Sequence, residues 1–242
     1  MKIGIIAFGR FGKLITKYLA KDFEVFVYTR KDKSKEIKEM NATPASLDEV
    51  CAMDVIIPCV PISEFENILE KIKDFVKKES LIADVCSVKE YPAELMKKIL
   101  PQNIHILGTH PLFGPDSAFD SLEGEKIVLC KVRIPDNRYK SIKSYLVRKG
   151  LTIIEATSED HDKEISKSLL LPHFIGRSLM QYGAKEMDID TEGYKRLLRI
   201  LKVVENDTWK LFEDINRYNK YSKKERENFI RSMVEINRRL EK

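Results

Sequence analysis

At 242 residues, with 43% apolar residues and only 10 glycines and 9 prolines, the chain has the composition of an ordinary globular protein, with length enough for a proper core. The formal net charge of +5 is mild, and the densest basic run, Lys220-Tyr221-Ser222-Lys223-Lys224-Glu225-Arg226, is broken by an acid. A nucleic-acid partner, which needs a concentrated basic patch, is therefore not expected. A weakly positive field suits a polyanionic cofactor and an acidic small-molecule substrate. No apolar run is long enough to span a bilayer, and the short N-terminal one leads into a glycine turn rather than a signal peptide. The four cysteines, Cys51, Cys59, Cys86 and Cys130, form no CxxC pair. They read as reduced, buried small hydrophobes, with no metal site implied, and a cytoplasmic protein is expected.

The first apolar run, residues 2–6, ends in Ala7-Phe8-Gly9-Arg10-Phe11-Gly12 and is followed by a helical pattern over 11–19. This is the dinucleotide fingerprint with alanine at its first glycine. Gly9 lets the backbone approach a pyrophosphate, and Gly12 lets helix and strand pack closely. Arg10 and Phe11 open the helix, whose amides and positive dipole end face the phosphates. Ala7 departs from the pattern, because the tight turn is easiest for glycine. A plain glycine turn is the bland alternative; the position between a strand and a helix favours the cofactor reading.

The second strand, residues 24–28, runs into Thr29-Arg30-Lys31. Sites for NAD usually place a carboxylate here for the ribose 2′-hydroxyl. A hydroxyl and two cations stand there instead, and a guanidinium binds phosphate as a bidentate fork. The residues favour NADP, with NAD possible; the bland alternative is a solvated loop.

Further strands are predicted over residues 54–58, 80–85, 104–108, 126–130 and 151–154, with helices over 63–77, 91–99 and 137–149. Ser63 and Asp136 are the expected N-caps. Near-continuous apolar strands alternating with helices predict a parallel, doubly wound α/β sheet of the Rossmann type. Two motifs lie at the carboxyl ends of its strands, where open sheets bind ligands. One is Asp84-Val85-Cys86-Ser87-Val88-Lys89, the other Gly108-Thr109-His110-Pro111-Leu112-Phe113-Gly114-Pro115. Pro111 restricts the backbone at His110, and Ser87, on the neighbouring strand end, is within plausible hydrogen-bonding reach of the imidazole. His105 reads as structural.

After Thr157 no strand is evident. Long amphipathic helices are predicted over 163–187, 194–216 and 223–240, which divides the chain into a nucleotide-binding domain, 1–156, and a small helical domain, 157–242. A unit that small buries proportionally little surface, so it is expected to pack on the sheet domain or on a second copy of itself. Pro172 should kink the first of these helices. His161-Asp162 reads as helix-terminal anchoring.

Taken jointly, these motifs, together with Glu159-Asp160-His161-Asp162 and Gly193-Tyr194-Lys195-Arg196-Leu197-Leu198-Arg199, resemble the arogenate and prephenate dehydrogenases, especially the plant-type arogenate enzymes. The resemblance runs over nearly the whole chain. It implies a Rossmann domain followed by a helical domain that makes a homodimer. It also implies oxidative decarboxylation of arogenate or prephenate in tyrosine biosynthesis, with hydride transfer to the nicotinamide. In that reading His110 accepts the proton of the ring hydroxyl and Ser87 orients it. Arg199 binds a substrate carboxylate, with Arg196 as the fallback; His173 lies near the substrate, and Asp207 favours the ammonium of arogenate over the keto group of prephenate. A general base of this kind must start neutral, so activity should fall as pH drops through a histidine-like pKa, about 6.5 for an unperturbed imidazole. Ala7 departs from the family's glycine, and Pro172-His173 is nearer the microbial prephenate enzymes.

Two other readings compete. A β-hydroxyacid dehydrogenase would share the architecture, but Lys163 and Lys167 lack the glycine and asparagine of its lysine motif. A non-catalytic nucleotide-binding subunit would keep the glycine loop and have no need of Ser87 and His110.

Overall fold

The computed structural model describes residues 1–241, with Val203 described through its backbone alone. The chain forms two compact units, Met1–Glu159 and Asp160–Lys242.

The first unit opens with β1 (Lys2–Ile6), α1 (Arg10–Leu19), β2 (Glu24–Tyr28), α2 (Ser34–Glu39), β3 (Thr43–Pro44) and α3 (Leu47–Cys51). It continues with β4 (Val55–Pro58), α4 (Ile62–Ile72), β5 (Leu81–Asp84), α5 (Glu90–Ile99), β6 (His105–Pro111), β7 (Lys126–Arg133), α6 (Asp136–Arg148) and β8 (Thr152–Glu155). One sheet holds all eight strands in the order β3-β2-β1-β4-β5-β6-β7-β8. The order reverses between β1 and β4, which makes the crevice at their carboxyl ends the topological switch point. Side chains on the strands alternate faces, and Ile3, Ile5, Val25, Val27, Leu81 and Leu107 form part of the buried core.

The sheet departs from the expected all-parallel arrangement at one place, where β6 and β7 are antiparallel. A parallel return needs a long crossover, usually a helix. The segment after β6 carries Gly114, Pro115, Ser117 and Gly124 with no helical periodicity, so the chain turns back instead. β8 then runs parallel to β7 through the α6 crossover. The expected N-caps are also displaced. α4 is capped at Pro61 and α6 at Pro135, so Ser63 and Asp136 lie inside their helices. Proline suits these positions because its fixed φ leads into a helix and no amide is lost from the ladder. A Ser46–Glu49 capping box starts the short α3.

In the second part of the chain the three expected helices become five: α7 (Ser158–Ser168), α8 (Leu170–Tyr182), α9 (Glu192–Glu205), α10 (Trp209–Tyr218) and α11 (Ser222–Leu240). The first break falls at Leu169, which puts Pro172 in the first turn of α8, where a missing amide is harmless. The expected mid-helix kink is therefore a helix start. Asn206 ends α9, and the Thr208 side chain accepts from the Leu211 amide to begin α10. Within Asp160–Lys242, α8 packs on α9, α10 and α11. A Cβ at Gly176 would lie 2.8 Å from Val204 Cγ2 and 3.1 Å from the Ile200 carbonyl, so glycine there is what lets α8 and α9 approach. Among the described residues, no helix is long and apolar enough to cross a membrane.

Candidate active site

The loop between β1 and α1 carries the nucleotide fingerprint. Ala7 has φ of 79°, the left-handed conformation that glycine adopts without steric cost and alanine does not. A Cβ on Gly12 would sit 2.4 Å from the Ala7 carbonyl oxygen, whereas one on Gly9 would meet nothing within 4 Å. Gly12 thus serves the close packing of helix on turn. Gly9 leaves an open approach at the N-terminus of α1, which has no side-chain cap of its own. Uncapped amides at a helix start, with open space before them, fit a pyrophosphate. Phe11 is half-buried in the first turn of α1. Arg10 is exposed and ion-paired with Asp116 of the β6–β7 loop at 2.5 Å.

Beyond the end of β2, Arg30 and Lys31 project into solvent and Thr29 is half-buried. The nearest carboxylate in sequence, Asp32, accepts from the Ser34 amide and hydroxyl, and these bonds hold its carboxyl below the usual range. That acid is occupied in starting α2. The strand end thus carries two exposed cations and a half-buried hydroxyl.

Of the two candidate catalytic residues, Ser87 follows the end of β5 and His110 lies near the end of the adjacent parallel β6. β5 and β6 pair with Asp84 opposite Gly108, so Ser87 and His110 lie just beyond one register point. His110 is buried and Ser87 half-buried. No hydrogen bond joins them in this structure among the described residues: the Ser87 hydroxyl is on the right strand end without bonding the imidazole.

Holding these two strand ends together is a pair of charges given no role from the sequence. Lys89 and Asp84 are ion-paired with both side chains fully buried. The Lys89 ammonium also donates to the Thr109 carbonyl, next to His110. The Thr109 hydroxyl donates to the Asp84 carbonyl, and the Cys86 amide donates to the Asp84 carboxylate at 2.9 Å. Burial pushes the Asp84 carboxyl upward, against the pull of the Lys89 cation. The result is a cross-brace between the segment bearing Ser87 and the strand bearing His110. A lysine two residues beyond a candidate catalytic serine was its only sign in the sequence.

In the helical unit, the structure brings together two of the three candidate substrate residues. His173 Nε2, on α8, lies 3.8 Å from Asp207 Oδ2, in the turn between α9 and α10. Burial is the main influence on His173 and lowers its pKa, with Asp207 opposing and Arg177 reinforcing the shift. Arg199 is not part of this cluster. Its side chain is 71% exposed and lies 3.7 Å from Glu192, the acid that also pairs with Arg196. The buried arginine is Arg177, one helical turn beyond His173. It donates to the Asp207 carbonyl and lies over the Trp209 ring, 4.8 Å from its centroid. Sequence reasoning passed over Arg177, although its spacing from His173 places both on one helix face.

The remaining histidines have structural partners. His105 Nδ1 meets Arg138 at 2.7 Å. His161 Nδ1 meets Asp162 at 2.7 Å in a buried pair, and the Asp162 carbonyl accepts from Asn219, just before α11. None of the four cysteines is in a disulfide, and burial raises the Cys51 thiol to about 11. Among the described residues no group of histidine, cysteine and acidic side chains could hold a metal ion.

Residues 21–155, more than half of the chain, match the profile of the prephenate dehydrogenase nucleotide-binding domain. The chain belongs to the prephenate dehydrogenase family. Residues 178–242 match the TYRAAT1-like C-terminal domain. Two Arabidopsis thaliana proteins are similar over most of the chain: chloroplastic arogenate dehydrogenase 1, 34% identical over 95% of this chain and 37% of its own length, and chloroplastic arogenate dehydrogenase 2, 33% identical over 90% and 64%. The chain therefore spans about a third to two thirds of these relatives. Among solved structures, prephenate dehydrogenase from A. aeolicus, in complex with hydroxyphenyl propionate and NAD+, superposes with a TM-score of 0.77 at 21% identity. It covers all of this chain, and 92% of that chain is matched. Synechocystis arogenate dehydrogenase gives 0.73 at 20% identity, over 100% of this chain and 93% of that one. At these identities the likeness is one of fold.

Proposed function

We propose that this chain oxidises arogenate, and prephenate less well, with loss of carbon dioxide and with NADP as the preferred cofactor. The observation that carries the reading is the buried brace of Lys89, Asp84 and Thr109. It holds Ser87 and His110 on neighbouring strand ends, at the edge of the sheet where the glycine loop also lies. A nucleotide-binding subunit without chemistry would have no use for two buried charges spent in that place.

Gly9, Gly12 and the first amides of α1 would hold the pyrophosphate, and Thr29, Arg30 and Lys31 the 2′-phosphate. When bound, the nicotinamide accepts the hydride. His110 takes the proton of the ring hydroxyl as the hydride leaves the same ring carbon, and the ring carboxylate departs as carbon dioxide to give a phenol. Such general-base assistance is worth about 10²–10⁴-fold. Ser87 orients the imidazole through a hydrogen bond that forms in the complex, since catalytic hydrogen bonds often tighten only when substrate is bound. Asp207 receives the substrate ammonium, with His173 beside it; a keto side chain would gain nothing from that carboxylate. The relatives named for arogenate support this order of preference.

The protein works as a homodimer through its helical part. Ile230, Met233 and Val234 on α11 are 46%, 57% and 43% exposed at i, i+3, i+4 spacing, an apolar stripe suited to a second copy. Four cysteines outside any disulfide suit the cytosol.

Absorbance of reduced nicotinamide, recorded with each substrate and each cofactor for the wild type and His110→Asn, tests the function. Turnover of arogenate with NADP, lost in His110→Asn, is expected. A wild type that oxidises neither substrate with either cofactor would refute it.

A further inference from the structure

Resting on the function proposed above, we propose that Arg177 is a positioning residue for substrate discrimination: from within α8 it anchors the α9–α10 turn so that Asp207 is presented to the substrate side chain beside His173. Three observations carry this. First, Arg177 is 6% exposed, and its Nη2 donates to the backbone carbonyl of Asp207, so the bond constrains where the turn lies. Second, its guanidinium lies over Trp209, the first residue of α10, so the same side chain touches both sides of Thr208, the cap residue. Third, Arg177 Nε and His173 Nδ1 are both buried without a hydrogen-bond partner in this structure. Unpaired polar atoms in such a place are costly, and two on one helix face beside a candidate substrate carboxylate mark a functional cluster rather than a packed core.

A cation fixed at this point also acts on charge. The charged groups that bear on the His173 ring are Asp207, from the α9–α10 turn, and Arg177, from its own helix. Burial and Arg177 together disfavour the imidazolium, while Asp207 favours it. A neutral His173 leaves the Asp207 carboxylate to a substrate ammonium; a protonated one would compete for it. Loss of Arg177 therefore weakens discrimination in two ways, by loosening the turn and by letting His173 take up a proton.

The test compares kcat/KM for arogenate and prephenate in wild type, Arg177→Gln and Arg177→Lys at about pH 6.5 and pH 8, together with the NMR titration of the His173 ring. In Arg177→Gln the arogenate-to-prephenate ratio is expected to fall about tenfold, mainly through KM for arogenate. The fall should be larger at the lower pH, and the His173 pKa should move up. Arg177→Lys keeps the charge without the planar fork, so it should hold the His173 titration near wild type while losing part of the ratio. Should Arg177→Gln fail to fold, Trp209→Leu, which removes the surface beneath the guanidinium, should shift the ratio the same way by a smaller factor. Equal losses for both substrates with an unmoved His173 titration would overturn the role of Arg177 alone. A wild type inactive on both substrates overturns the proposed function instead.

Discussion

Replacing Lys89 with methionine gives the sharpest test of the brace beneath the candidate active site. The substitution removes the ammonium from a pair whose two side chains are both fully buried. The Asp84 carboxylate then keeps the Cys86 backbone amide on one oxygen, while its other oxygen is buried without a hydrogen-bond partner. Removing one partner of a buried ion pair costs about 3–5 kcal/mol, because the other charge stays in a medium that solvates it poorly. Asp84 already has its carboxyl pushed up by burial, and without Lys89 it rises further. The folded variant therefore binds a proton that the unfolded chain has released. Stability linked to a raised pKa is fully present below the unfolded value and is lost as pH climbs through the folded one. The deficit of Lys89→Met should accordingly grow from about pH 5 to about pH 8, with a slope of up to roughly 1.4 kcal/mol per pH unit. The double variant Asp84→Asn/Lys89→Met leaves no buried charge and should recover most of the loss. Urea unfolding followed by far-ultraviolet circular dichroism at the two pH values measures all of this. A single-variant deficit below about 1 kcal/mol near pH 8, or a double variant as unstable as the single, would refute the account of the brace.

Other substitutions probe the remaining features. Ala7→Gly relieves a left-handed alanine (φ of 79°) and should stabilise the protein by about 0.5–1 kcal/mol after glycine's own entropic cost; a loss in urea unfolding would contradict the strain. Arg30→Ala/Lys31→Ala should raise KM for NADP by roughly 10–100-fold, the worth of about 1.5–3 kcal/mol for charge-assisted bonds, with little change for NAD. Equal effects on both cofactors would remove the pair from the 2′-phosphate site. Gly176→Ala forces a methyl to 2.8 Å from Val204 Cγ2 and should cost about 1–3 kcal/mol, read from the fluorescence of Trp209. An unchanged midpoint would mean that α8 and α9 separate freely.

Much of the architecture could be read from local pattern. β1 and β2 fall where the apolar runs place them, because continuous apolar strands between turn signals leave few alternatives. The short pieces escaped: β3 is a two-residue strand and α3 a five-residue helix, below the length at which periodicity becomes a signal. Helix breaks at Leu169 and at Asn206-Asp207-Thr208 were hidden because an amphipathic stripe can continue across a cap. Asp207, read as a helix residue, lies in the turn between two helices.

By itself, the amino-acid order determined the nucleotide fingerprint, the cations after β2 and the two strand-end motifs, since each depends on residues close together in the chain. Tertiary structure alone decided the rest. Whether β7 ran with or against β6 depended on how the intervening loop folded back. Whether a given arginine was a surface decoration or a buried anchor depended on which helix covered it: Arg199 faces water, and Arg177 does not. A lysine or arginine in a sequence is presumed solvated, because burying a charge is costly unless a partner is waiting. For Lys89 that partner is Asp84, and for Arg177 the Asp207 carbonyl thirty residues away, and only the folded chain brings the second one into reach.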